Sequence, residues 1–395
     1  MSKLAINGGS PVRTEAWPSW PQWDGRERQG LMDVLESGVW GGFNEVVGKF
    51  EQAFGKRHQA KHCLAAANGS LSLEAALRVL DVGYGDEVIV PPYTFIATAN
   101  AVRLVGATPV FVDIEPDTYN LDATKIEEAL SPQTKAIIPV HFGGLPADMD
   151  AIMALAQKHN LFVVEDAAHA HGSTWRGQPM GTIGHIGSFS LQASKNLTAG
   201  EGGLLLTNHD DLGRKLRSFI NQGRSLDGAW YEHDILGSNM RLSAWQAAIL
   251  LAQLERFDDQ LARRQQNARQ LRSILEEIDG LQPMRWDERA ENHSHHVFMM
   301  RYDPAGFDGL TREQFVGALK AEGVPCSTGY ARPLYKQPPL DAQYSRIMPC
   351  PVSEQACHEV IYLGQNLLLA EPEQIDDIAQ AIVKVRENIN ELRAA

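Results

Sequence analysis

Cysteine is scarce: Cys63, Cys326, Cys350 and Cys357 are four residues in 395, and no two of them form a C-x-x-C pair. That excludes the disulfide framework that staples small secreted domains and predicts reduced thiols. Basic residues are in deficit. Lys and Arg number 36 against 49 Asp and Glu, and the resulting net charge of -13 repels phosphate backbones and anionic headgroups, so no nucleic-acid partner and no polybasic membrane anchor are expected. Long apolar runs are missing as well. No window reaches the ~18 continuous apolar residues of a membrane span, and Met1 to Arg13, with Gly8, Gly9 and Pro11, holds no signal-peptide core. A cytoplasmic protein is expected. The 44% hydrophobic content then excludes disorder for most of the chain, and the length suffices for two or three domains with a large core.

From Lys61 onward, short apolar runs alternate with helical patterns, which predicts an α/β domain with a mostly parallel sheet. Val88 to Val90, Pro109 to Val112, Ala136 to Val140 and Leu161 to Val164 read as strands. Leu71 to Leu80, Ile96 to Val105 and Asp148 to His159 carry apolar residues three or four apart and read as helices on the sheet faces. A stretch from about Ser243 to Ile278 lacks Gly and Pro and reads as one long helix, after which strands and helices mix. The expected division is a large domain over 1–255 and a smaller C-terminal α/β domain over 256–395.

Ligands of an open α/β sheet bind at the carboxyl ends of its strands, so the residues that follow each apolar run are candidates for function. Asn68-Gly69-Ser70-Leu71 enters a helix, where the N–H groups of Ser70 and Leu71 could hold a phosphate; Ser70 as an ordinary N-cap is the plainer reading. Leu161 to Val164 runs into Glu165, Asp166, His169 and His171. A buried carboxylate at Asp166 requires a cationic partner, whereas a helix-capping Asp beside exposed histidines requires none. Lys195 lies between Ser190 and the glycines Gly200, Gly202 and Gly203, a compact setting that could lower its pKa and leave a nucleophilic amine. A phosphate cup, an Asp for a pyridine nitrogen and a lysine for an aldehyde together suggest pyridoxal 5'-phosphate.

These segments, with Leu4 to Gly9 and Glu371-Pro372, resemble the DegT/DnrJ/EryC1/StrS family of sugar and cyclitol aminotransferases over nearly the whole chain. The resemblance implies fold type I of the pyridoxal-phosphate enzymes and a ping-pong aminotransfer. Glutamine or glutamate would be the donor and a cyclic ketone, either a cyclitol ketone or a keto sugar, the acceptor. It makes Lys195 the lysine that joins the cofactor, Asp166 the partner of the pyridine nitrogen and His169 a neighbour of the ring hydroxyl. Ser190 and the Gly69-Ser70-Leu71 turn would hold the phosphate, and Phe95 would stack on the ring, although Phe95 also fits a core position. Gly237 to Leu242 matches a loop whose Asn, here Asn239, reaches the phosphate of the partner subunit, which implies a homodimer with shared sites.

Trp17 to Trp23, His169 to Gly172 and Leu369 to Pro372 look most similar to the cyclitol aminotransferases and the aminohydroxybenzoate synthases of antibiotic pathways, so a dehydratase or synthase-like lyase is the alternative activity. Where relatives often carry Tyr-x-x-Pro-Leu-His, this chain reads Tyr330-Ala331-Arg332-Pro333-Leu334-Tyr335. Tyr330 and Arg332 are therefore substrate candidates, with an exposed, idle Arg332 as the plainer reading. His293, His295 and His296 form a polar cluster whose spacing lacks the carboxylate or cysteine partners of a zinc site, and no metal is expected.

Overall fold

The structure, a computed structural model, describes residues 3–393. Its strands are β1 (His62–Ala66), β2 (Glu87–Val90), β3 (Thr108–Phe111), β4 (Thr134–Ile137) and β5 (Phe162–Asp166), followed by the short pair β6 (Thr174–Trp175) and β7 (Gln178–Pro179). Then come β8 (Ile186–Ser190), β9 (Gly203–Thr207), β10 (Leu281–Pro283), β11 (Val297–Tyr302), β12 (Cys326–Ser327), β13 (Arg346–Ile347) and β14 (Val360–Gly364). Eight of them form one sheet in the order β1-β9-β8-β5-β4-β2-β3-β13, in which only β9 runs against its neighbours. The fold is thus α/β with a large, mostly parallel sheet.

Period-2 alternation sorts the apolar residues of this sheet onto two buried faces. Val88, Val90 and Leu205 join the core beneath helices Gly69–Val79, Ala97–Leu104 and Asp210–Phe219, while Ile89, Leu204 and Leu206 join the core beneath Glu45–Arg57 and Met149–His159. The helices start where the sequence supplies caps. Asp148 accepts from Ala151 N–H at 3.1 Å, and Gln246 reaches back to Ser243 N–H at 3.0 Å to open the long helix Ala244–Leu275.

That 32-residue helix joins two cores: Ala247, Leu250, Phe257 and Leu261 pack beneath the large sheet, whereas Ala268, Leu271 and Leu275 pack with the antiparallel sheet β10-β11-β14-β12. The expected division at 255/256 falls inside this helix, and the chain crosses it twice. Leu4 is buried in the C-terminal core, and β13 adds to the edge of the large sheet, where Arg346 pairs with Glu87 at 2.8 Å. Among the described residues the four cysteines are free and no helix is long and apolar enough to cross a membrane.

Candidate active site

The carboxyl ends of β1, β2, β4, β5 and β8 open onto a cavity of about 980 Å³, whose far wall comes from the antiparallel sheet and the segment Ser327 to Tyr330. Gly69, Ser70, Leu71, Phe95, Asp166, His169, Ser190, Lys195 and Tyr330 all line it. Asn239 and Arg332 do not; both are exposed outside it.

The helix after β1 begins at Gly69, and its cap is Asn68, not Ser70: Asn68 Oδ1 accepts from Leu71 N–H at 2.9 Å. Leu71 N–H is therefore taken. The first-turn amides left without a partner among the described residues are those of Gly69 and Ser70, at the positive end of the helix. A Cβ on Gly69 would stand 2.8 Å from Ser190 Cβ, so only glycine lets this turn approach β8. Ser72 Oγ, 2.7 Å from Ser188 Oγ, fastens the helix over the same strand.

Asp166 ends β5 and is buried, with 5% of its surface exposed. Its Oδ2 accepts from Thr98 Oγ1 at 2.8 Å and its Oδ1 from Ala168 N–H at 3.2 Å. Among the described residues no lysine or arginine pairs with it directly, so the cationic partner expected from the sequence does not come from a salt bridge within the chain. Burial raises its pKa against the two hydrogen bonds and the more distant charge of Lys195. Lys195 shows the opposite departure for the same reason: burial lowers its ammonium to about 8, although the carboxylate of Asp166 pulls the other way. His169 is held neutral by burial, and its Nδ1 is enclosed without a partner.

Aromatic side chains close the opposite side. Tyr330 stands edge-on to Tyr93 at 5.5 Å and near Phe142 and Tyr362, while Tyr362 Oη donates to Tyr93 Oη at 2.8 Å across the junction of the two sheets. Phe95 is 57% exposed on the cavity rim, which removes the core reading of that residue. Tyr335 is directed elsewhere and bonds Glu354 at 2.9 Å.

Thr98 and Tyr362 escaped the sequence reading, in which His296 is only one of a polar cluster without a role at this cavity. Thr98 carries an ordinary helical pattern and Tyr362 an ordinary strand pattern, while His296 is buried and lines the cavity. Among the described residues no group of three or more His, Cys, Asp or Glu side chains is arranged to hold a metal ion.

Residues 21–383 match the DegT/DnrJ/EryC1/StrS aminotransferase family. The chain is similar to the L-glutamine:2-deoxy-scyllo-inosose aminotransferase of Streptoalloteichus tenebrarius, with 37% identity over 422 residues that cover 99% of each chain. It is 39% identical to the 3-amino-5-hydroxybenzoate synthase of Amycolatopsis mediterranei, over 90% of this chain and 94% of that one. Among solved structures, the aminotransferase from Psychrobacter cryohalolentis matches with a TM-score of 0.89 at 34% identity, covering 95% of this chain and 100% of the other. With a family match over most of its length and relatives aligned from end to end, the chain belongs to the DegT/DnrJ/EryC1/StrS aminotransferase family.

Proposed function

We propose that this aminotransferase uses pyridoxal 5'-phosphate to move an amino group from glutamine, with glutamate as the lesser donor, to a cyclic ketone. A cyclitol ketone is the favoured acceptor, in keeping with the scyllo-inosose relative, and a keto sugar is the other candidate. The observation that carries the reading is the pairing, in one cavity, of a carboxylate pushed up by burial with a lysine pushed down to about 8. The carboxylate is set to receive a cation and the lysine to act as a free amine.

The residues fit the cofactor. The free N–H groups of Gly69 and Ser70, with Ser190 beside them, bind a phosphate at the helix N-terminus. Asp166 accepts a hydrogen bond from a protonated pyridine nitrogen, which restores to the carboxylate the charge stabilisation that burial removes. Phe95 and His169, which line the same cavity, would hold the ring, Phe95 by stacking on it and His169 beside its hydroxyl. When bound, pyridoxal phosphate supplies an aldehyde that takes up the amino group and a ring that withdraws electrons from the Cα–H bond. Lys195 Nζ removes the proton from the donor Cα and later returns one to the product, acting as base and then acid. The wall of Tyr93, Phe142, Tyr330 and Tyr362 keeps bulk water from the reacting atoms.

Asn239, exposed outside its own cavity, serves the phosphate of the partner subunit in a homodimer. The absence of a membrane-spanning helix among the described residues and the acidic charge accord with a cytoplasmic enzyme.

The test is a two-stage assay. Glutamine alone should convert the loaded enzyme to its amine form, and cyclic ketones added afterwards should restore it and yield aminated products by mass spectrometry. The synthase relative motivates the second reading, a dehydratase or lyase, which predicts loss of water from the substrate with no net transfer of the amino group from glutamine.

A further inference from the structure

The histidines at 293, 295 and 296 divide between two surroundings. His293 and His295 stack on each other at 3.7 Å beside Trp286, whereas His296, immediately before β11, turns to the cavity with its ring centre 4.3 Å from that of His169. Its protonation pattern is set by the chain. Asn196 Nδ2 donates to Ser294 O at 2.7 Å, and because a backbone carbonyl only accepts, the amide must present Oδ1 to the histidine. That oxygen is 3.2 Å from His296 Nδ1, so Nδ1 carries the proton. Nε2 is left with a lone pair. It makes no hydrogen bond among the described residues, and it is not one of the nitrogens enclosed by protein.

The arrangement is rigid. Ser294 N–H donates to Ser173 Oγ at 3.0 Å and its hydroxyl to His169 O at 2.5 Å, so neither Asn196 nor His296 can turn over without breaking buried bonds. Burial, with the nearby charge of Lys195, also keeps the ring from becoming a cation. Among the described residues of this chain, Lys195 is the one basic side chain besides the histidines that lines the cavity.

We propose that His296 selects glutamine over glutamate as the amino donor, with Nε2 accepting a hydrogen bond from the N–H of the donor's side-chain carboxamide. This rests on the aminotransferase reading above. A carboxamide brings the hydrogen that the lone pair needs. The carboxylate of glutamate brings only acceptors, against an acceptor, and sites built around a substrate N–H reject analogues that lack it.

The experiment measures single-turnover conversion of the pyridoxal-phosphate-loaded enzyme by glutamine and by glutamate separately. The wild type should favour glutamine by about tenfold or more in kcat/KM. His296→Leu should bring that ratio near one, chiefly by losing rate with glutamine. Asn196→Asp places a carboxylate against Nδ1, favours the doubly protonated ring and turns Nε2 into a donor, so its ratio should fall about tenfold through a gain with glutamate. Equal losses with both donors in His296→Leu, an unchanged ratio in both variants, or a wild-type preference for glutamate would overturn the assignment. If neither donor converted the wild type, the aminotransferase reading itself would fall, an outcome separate from any change in ratio.

Discussion

Thr98 donates its hydroxyl to Asp166 Oδ2 at 2.8 Å from a position with no exposed surface, the one side-chain hydrogen bond to that carboxylate among the described residues. It favours the anion that burial disfavours. Thr98→Val keeps the volume and removes the donor, a loss of about 1.5–3 kcal/mol for a hydrogen bond to a charged group. Turnover should fall at least about tenfold with little change in the KM for the donor, and Thr98→Ser should restore most of it. Wild-type kcat in the valine variant would show that Asp166 does not depend on Thr98.

The lowered pKa of Lys195 makes a prediction about stability. In the cofactor-free protein the amine loses its proton near 8, whereas the unfolded chain holds it to about 10.5, so between those values the unfolded state binds more protons. Stability contributed at this site therefore rises with pH through that window. Lys195→Met, which has no charge to bury, should melt above the wild type at pH 7, and the gap should narrow as pH passes 8 and approaches 10. A gap that does not change with pH would mean that the lysine is not desolvated.

Gly69→Ala should weaken cofactor retention. The added Cβ meets Ser190 Cβ at 2.8 Å and Phe189 O at 3.3 Å, so the turn must move off β8, at a cost of about 1–3 kcal/mol for overpacking. Phosphate affinity, measured by dialysis against free cofactor, should drop together with the melting temperature. Unchanged retention would place the phosphate elsewhere.

The parts of this site that were legible in the sequence follow strand ends directly. Asp166 and Ser190 terminate β5 and β8, and Lys195 comes five residues later on a loop punctuated by glycine. A rule about carboxyl ends finds them without knowledge of the fold. Asn68 was assigned a lesser part than it has because capping is decided by which side chain reaches which N–H, and Asn68 and Ser70 are both good caps by type. The roles of His296 and Thr98 could not be read from the sequence for another reason: they depend on Asn196 and Asp166, brought beside them only by tertiary packing. The two-residue strand β13 has too little sequence to announce itself and is held by pairing with β3 and by Arg346 on Glu87.

The proposed sharing of the site across a dimer predicts complementation. A two-fold interface places Asn239 of each subunit reciprocally. Asn239→Ala should loosen the cofactor by about 1.5–3 kcal/mol, the range of one charge-assisted hydrogen bond. Heterodimers of Asn239→Ala with Lys195→Ala subunits should regain activity at up to one site each, because one site then carries both defects and the other neither. Verified heterodimers without activity would confine Asn239 to its own subunit.

The most direct test of the account is borohydride reduction of the enzyme loaded with pyridoxal phosphate, followed by peptide mapping. The account predicts a single stable label, on Lys195, and no label in Lys195→Ala although that variant remains folded. A label on any other lysine, or unchanged labelling in the variant, would contradict it.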